Sequence, residues 1–231
     1  MKFKVCTCWD DGVVNDERLA GLLRAHGAKA TFNLNPGRHT DERFPSKWLK
    51  FVDAPWSHNG FSGGLLSKND LLEVYKGFKV ASHCMHHETV GQVLDDVFLK
   101  AAVDARHWLE DFFQQECPGF AWPCGKTTPA TADALREAGF EYGRTTANTD
   151  NVLAYEHPML LNSSCHFLNR SFKAIFEKAK AENGVFYFWG HTYEMMDCQG
   201  MWDFTEQKIK FLAEDPDVEW IDVIDIVRMP R

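Results

Sequence analysis

Two adjacent carboxylates, Asp10 and Asp11, end the first apolar run of the chain and are followed by Gly12. Like charges side by side at a strand end repel, and strands are depleted in Asp, so the pair implies a positive partner. A divalent cation is the simplest one: one carboxylate would bind it and the other would stay free as a base. His83 and His87 are four residues apart, a spacing that sets both imidazoles on one side of a helical turn. With Asp11 they form a two-histidine, one-carboxylate set, which leaves coordination positions open for water and substrate. His86 lies between them and is expected to point elsewhere.

These residues need a scaffold that brings distant segments to one face. Apolar runs at Lys2–Trp9, Ala30–Leu34, Lys79–Ser82, Phe120–Trp122, Glu141–Thr145 and Val185–Trp189 read as strands. Helical patterns follow them: Asn15 or Asp16 to His26, Ser67 to Tyr75, Gly91 to Gln115, Thr128 to Gly139, Ser171 to Asn183 and Phe204 to Glu214, with Glu219–Val227 a last strand or short helix. The stripe Leu94, Val97, Phe98, Ala101, Ala105, Trp108, Leu109, Phe112 and Phe113 predicts an amphipathic helix facing a core. Residues 35–66 and 146–169 read as mostly irregular. Strands alternating with helices imply parallel pairing with right-handed crossovers. The prediction is an α/β fold, an incomplete (β/α) barrel of about seven parallel strands, forming one domain over residues 1–231. The polar groups Asp10-Asp11, His83/His87, Pro123-Cys124-Gly125, Arg144 and His191 all follow strands, at the ends where such barrels carry their active sites.

Composition narrows the partners. With a net charge of -8 and a pI of about 5.7, the chain has no basic run for nucleic acid, and no apolar window long enough for a membrane span. No secretory apolar core precedes the first strand, so the expected location is cytoplasmic. Seven cysteines without a C-x-x-C pair read as buried reduced thiols, with Cys6 and Cys8 on one side of the first strand, which fits a reducing compartment. Trp48, Phe51, Trp56 and Phe61 fall in the irregular stretch and either stack on sugar faces or pack a lid onto the core. His26, His39, His107 and His157 read as surface or loop residues.

The whole set resembles the polysaccharide deacetylases, carbohydrate esterase family 4. The family's T-F-D-D-G motif stands here as Thr7-Cys8-Trp9-Asp10-Asp11-Gly12, one residue longer, and H-[S/T]-x-x-H as His83-Cys84-Met85-His86-His87. R-x-P-[Y/F]-G stands as Ala121-Trp122-Pro123-Cys124-Gly125, and the last histidine, after an apolar strand, as Phe186 to His191. The resemblance implies a distorted (β/α) barrel. It implies Asp10 as general base, His191 as general acid, and Asp11, His83 and His87 as ligands of a divalent metal: zinc, with cobalt, nickel or manganese as alternatives. The Cys124 backbone N–H would help hold the oxyanion, and Trp122, Pro123 and Trp189 would contact substrate. Two departures stand out. The motif arginine is Ala121 here, with Arg144 at the next strand end as its candidate replacement. D-x-x-D-W has only Asp150 as a nearby candidate. The implied reaction is hydrolysis of a non-peptide C–N bond, with N-deacetylation of an acetylated amino sugar or oligosaccharide first. The same chemistry on a small amide, cyclic imide or ureide is the alternative. A non-haem iron oxygenase shares the two-histidine, one-carboxylate set, but the second carboxylate argues against it. A non-catalytic binding module would need neither Asp10 nor His191.

Overall fold

The computed structural model of the chain describes residues 2–48, 61–196 and 200–230. Strand β1 (Phe3–Asp10) is buried along nearly its whole length, as its continuous apolar sequence requires of a central parallel strand. Its neighbours are α1 (Asp16–Ala25) and β2 (Thr31–Leu34), then a small hairpin of β3 (Lys47–Trp48) and β4 (Phe61–Ser62), α2 (Lys68–Val74), β5 (Lys79–Ser82) and α3 (Asp95–Phe113). After these come β6 (Gly119–Ala121), α4 (Pro129–Glu137), β7 (Tyr142–Asn148), β8 (Leu161–Ser163), β9 (Cys165–His166), α5 (Phe172–Ala181), β10 (Val185–Gly190), α6 (Met201–Ala213), β11 (Val218–Trp220) and α7 (Val223–Arg228). Caps read from sequence are in place. Ser67 and Asp70 form a capping box on α2, and Thr128 caps α4 with Pro129 at its first position.

The main sheet runs β8-β7-β6-β5-β2-β1-β10-β9, with every pairing parallel. Its two edge strands are consecutive pieces of one segment. Residues 161–163 pair with β7, residues 165–166 pair with β10, and the Ser164 N–H between them donates to Tyr187 O at 2.7 Å. That segment brings the sheet round into a nearly closed barrel, and β11 adds beside the N-terminal half of β1. The closing segment lies in the stretch expected to be irregular. Its small polar residues Asn162, Ser163 and Ser164 show no alternation, and pairing on both sides is what makes it a strand. The expected stripe on α3 is shorter than its sequence suggests. The helix starts at Asp95, Leu94 and Val97 are exposed, and Phe98, Ala101, Ala102, Ala105 and Leu109 face the core.

Alternation along the strands sorts side chains by layer. Cys6 and Cys8 on β1, Tyr142 on β7, and Tyr187 and Trp189 on β10 form an inner cluster. Phe3, Val5, Trp9, Phe32, Phe186 and Phe188 belong to the cluster shared with the surrounding helices. Asp10 continues the inner series of Cys6 and Cys8, and Arg144 that of Tyr142, so the pattern delivers both to the inside of the C-terminal rim. Five of the six described cysteines are buried free thiols, and Cys124 is exposed. Among the described residues no helix is long and apolar enough to cross a membrane.

Candidate active site

Asp10 ends β1 with its carboxylate 2 % exposed and held on both sides. Asn33 Nδ2, from the paired position on β2, donates to Oδ1 at 2.7 Å, and Arg144 Nη2 donates to Oδ2. Burial works to raise the Asp10 carboxyl, but Arg144, with His83 and His191, holds it well below the usual carboxylate range. Arg144 is the direct register partner of Ala121 on β6. The cation missing from position 121 is therefore present one strand over, and it reaches Asp10. The register of β1 against β10 is unbroken from Lys4 to Trp9, so the extra residue of the first motif is not a bulge. Cys8, not Thr7, occupies the position two before Asp10 and shares its face.

The next three groups converge beside it. Asp11 Oδ1 lies 3.8 Å from His83 Nε2, the His83 and His87 rings are 4.7 Å apart, and one ligand atom from each of the three lies within 4.8 Å of the others. The histidines meet in a different way from the helical turn expected. Residues 83–87 are not helical, and the proximity comes from positive φ at Cys84 (62°) and His87 (70°), with Asn35 Nδ2 holding the His83 and Cys84 carbonyls. Asp11 (83°) and Cys124 (54°) share that conformation, while the other non-glycine examples among the described residues, Gln114 and Asn183, close helices. Left-handed backbone at non-glycine residues is costly, and its concentration here marks a site the surrounding fold over-determines.

These residues fit a cation. His83 Nδ1 lies 2.8 Å from Ala121 O and donates to it, which leaves the Nε2 lone pair facing Asp11. Burial pushes the His83 imidazole down to about 4, so it stays neutral and able to ligate. Replacing Asp11, His83 or His87 by Ala is expected to remove most of the bound metal, measured by elemental analysis. Full occupancy in all three variants would sink the ligand assignment.

His191 follows β10. Its Nε2 lies 3.7 Å from Asp10 Oδ2, and its Nδ1 lies 3.3 Å from Oε2 of Glu194, which also accepts the His191 backbone N–H at 2.9 Å. Burial opposes charge on the imidazole, but the Glu194 hydrogen bond and the Asp10 charge outweigh it and raise His191 to about 9. Glu194 is in turn lowered to about 2: burial opposes this, and His166 and His191 prevail. Asp150, the sequence candidate for a carboxylate on this side, is exposed and pairs with Lys178 at 2.8 Å. Glu194 was missed: it lies three residues after His191 in a short 3-10 turn that leaves no periodic signal in the sequence.

Behind this turn lies a second buried acid. Thr192 Oγ1 and Tyr75 Oη both donate to Asp16, and burial pushes its carboxyl up to about 7. A raised folded-state value means that stability is full below the ordinary Asp range and is lost as pH rises through about 7. Asp16→Asn cannot ionise, so its melting temperature relative to wild type is expected to be higher at pH 8.5 than at pH 5.5. A difference independent of pH would refute this.

The cleft around these groups encloses about 850 Å³ and is lined on other sides by Arg38, Phe61, His86, Cys124, Trp189 and Tyr193. Trp122 and Pro123, expected against substrate, are both buried, and Trp122 lines the cleft. The Trp122 indole N–H donates to Met159 O at 2.7 Å and the ring stacks on Phe98, so it supports the cleft floor from beneath. Trp189 faces the cleft, with the Arg144 guanidinium 4.4 Å from its ring centroid. His39, expected at a surface or loop position, lies in a loop but is 2 % exposed and donates Nδ1–H to Leu66 O at 2.8 Å, under a Gly12 that leaves no room for a side chain. His86 is exposed and outside the ligand group, as its position between the ligands suggested. Of the loop aromatics, Phe61 is buried, while Phe51, Trp56 and the Trp48 side chain lie outside the described residues.

The parallel barrel carries this site at its C-terminal rim, and comparison with known proteins shows which family it belongs to. The polysaccharide deacetylase family profile matches residues 2–143, more than half of the chain, and the chain belongs to that family. The match includes Asp10, Asp11, His83 and His87 and stops short of Arg144 and His191. Among solved structures, the chain is similar to a polysaccharide deacetylase from Mycobacterium smegmatis at 16% identity, with a TM-score of 0.60 over 100% of this chain and 93% of that one. The peptidoglycan deacetylase PdaC from Bacillus subtilis gives 13% identity and a TM-score of 0.56, covering 97% and 90%. The Streptococcus pyogenes deacetylase PplD gives 20% identity and 0.52 over 67% of this chain, which spans 61% of that protein. These likenesses establish the distorted (β/α) barrel of the family. No curated protein matches the sequence.

Proposed function

We propose that the chain is a metal-dependent N-deacetylase of an acetylated amino sugar or its oligomers, working as one catalytic domain. The observation that carries this reading is the pair Asp10 and His191. Their nearest atoms are 3.7 Å apart, and their environments push their proton affinities in opposite directions beside a two-histidine, one-carboxylate set. Asp11, His83 and His87 would hold the cation, and the mixed nitrogen and oxygen donors favour zinc, with cobalt, nickel or manganese as alternatives. When bound, it supplies positive charge that polarises the amide carbonyl and acidifies water. Asp10, ionised and fixed by Asn33 and Arg144, accepts the proton of the attacking water as the new C–O bond forms. The Cys124 N–H donates to the resulting oxyanion. His191 Nε2–H gives its proton to the amine as the C–N bond breaks, leaving acetate and a free amino group. Trp189 forms the wall beside the reacting groups. Buried reduced thiols support a reducing compartment, the cytoplasm, as the place of action.

The protonation states give a pH expectation. Asp10 is a carboxylate and His191 an imidazolium through the whole neutral range, so kcat should be level there and fall on the alkaline side near pH 9, where His191 loses its proton. A kcat that rises through pH 9 would contradict the acid role. To test the reading, the zinc-loaded protein is screened against N-acetylglucosamine oligomers and small cyclic amides. Acetate with free amine supports it, and ring-opened product with no acetate replaces the sugar by the small amide.

A further inference from the structure

His166 ends β9, in the stretch the sequence left without structure or role, and the catalytic scheme above does not use it. Its Nε2 lies 3.1 Å from Glu194 Oε2, the oxygen that also faces His191 Nδ1 at 3.3 Å and accepts the His191 backbone N–H at 2.9 Å. Its ring meets Trp189 edge-on, with centroids 4.7 Å apart, and Trp189 carries Arg144 over its face at 4.4 Å. Arg144 pairs with Asp10, whose Oδ2 is 3.7 Å from His191 Nε2. The contacts therefore close a ring: Asp10, Arg144, Trp189, His166, Glu194, His191 and Asp10 again. His166 joins Trp189, which lies against the arginine that holds the base, to Glu194, the partner of the acid.

Spacing alone would allow a second cation here, since one ligand atom each from His166, His191 and Glu194 lies within 4.8 Å of the others. The edges also match: a tetrahedral site with bonds of about 2.0–2.1 Å has ligand atoms about 3.3 Å apart. The imidazole tautomer decides against it. Leu168 N–H donates to His166 Nδ1 at 3.2 Å, so in the neutral ring Nδ1 holds the lone pair and Nε2 carries the proton. Nε2 thus carries its proton beside Glu194 Oε2, 3.1 Å away, and has no lone pair to give a metal.

We propose that His166 is a positioning residue for His191, holding the Glu194 carboxylate against the His191 ring by donating its Nε2–H to the shared oxygen. The proposal rests on the reading of His191 as general acid, and it adds the group that keeps that acid's partner in place. One oxygen accepts a backbone N–H and faces two imidazole nitrogens, at 3.1 and 3.3 Å, so removing His166 takes away one of the three groups that hold it in place. Without His166 the carboxylate is free to turn toward water, where its field at His191 weakens. The other groups facing His191 are Asp10 and Asp11 from the end of β1, Tyr193 from its own turn, whose ring stacks at 4.9 Å, and Trp189 from β10, edge-on at 5.5 Å. None of them touches His166 through the Glu194 oxygen, so the effect of His166 can be isolated.

The test is a histidine side-chain titration by long-range proton–nitrogen NMR on the zinc-loaded protein, which reads His191 whether or not any substrate is turned over. His166→Ala should lower the His191 midpoint by about one unit, about a tenfold change in its protonation equilibrium. His166→Gln, whose amide N–H can replace the donor, should restore most of it. Glu194→Gln should lower the midpoint further, and adding His166→Ala to Glu194→Gln should change nothing more, because His166 acts only through that carboxylate. Zinc content should remain one equivalent in every variant. An unchanged midpoint in His166→Ala, or an equal drop in the Glu194→Gln background, would overturn the proposal. A second zinc equivalent lost with His166 would overturn the donor assignment. If wild type released no acetate from any amide, the catalytic reading would fail, while the midpoints would still decide the role of His166.

Discussion

Asp10→Asn is expected to keep its metal and lose about 10²–10⁴ in kcat, the usual worth of a positioned proton-transfer group. Asparagine preserves shape and an oxygen for the Arg144 donor, but it cannot take a proton from water. Asp10 adjoins the ligand Asp11 on the chain, yet the two point to different partners. Asp10 is gripped by Asn33 and Arg144, and Asp11 faces His83 and His87. Elemental analysis should therefore find wild-type metal. The alkaline limb of kcat should also move to lower pH, because the Asp10 charge is one of the groups holding His191 protonated. His191→Ala should lose rate on the same scale, but a substrate with a good leaving group should partly restore it and should not restore Asp10→Asn. Equal rescue of both variants, or metal loss from Asp10→Asn, would mean the acid and base roles are misassigned.

Arg144→Ala should be the more damaging change to the fold. It leaves the Asp10 carboxylate buried without its cation, and removing one partner of a buried ion pair typically costs about 3–5 kcal/mol. The sign with pH follows from the direction of the shift. Asp10 is held below its unfolded value in the wild type, so the pair contributes stability above that value and loses it as pH falls through the folded one. The stability gap between wild type and Arg144→Ala should therefore be full at neutral pH and narrow in acid, as read by urea unfolding. In the variant, burial alone acts on Asp10 and raises its carboxyl, so an acidic limb should appear in kcat/KM at higher pH than in wild type. Arg144→Lys should rescue little, because the guanidinium both pairs with Asp10 and lies over Trp189. Wild-type stability and rate in Arg144→Ala would remove Arg144 from the account.

Much of this site was legible because barrel strands deliver their ends to one rim. Asp10, Arg144 and His191 could each be placed from the residue that follows or closes an apolar run. His83 and His87 were brought together by the wrong geometry: spacing of four suggests a helical turn, while left-handed backbone at Cys84 and His87 achieves the meeting. Glu194 and His166 were not legible. Glu194 lies in a short 3-10 turn without periodicity, and His166 ends a two-residue strand whose existence depends on pairing, not on composition. Trp122 lines the cleft, but its burial was not legible either. A tryptophan at a strand end looks like a platform for a sugar, but the preceding helix α3 supplies Phe98, and stacking on it buries most of the ring. Sequence periodicity marks which elements meet the rim; it does not say which side of a loop residue the neighbouring element will cover.

The central claim is that one cation, held by Asp11, His83 and His87, is required for release of acetate from an N-acetylated amino sugar. The most direct measurement is a zinc titration of the metal-stripped protein, with acetate released from N-acetylglucosamine oligomers as the readout. The account predicts no release without metal, a linear rise, and a plateau at one equivalent. Full release from the stripped protein, or a plateau reached only at two equivalents, would contradict it.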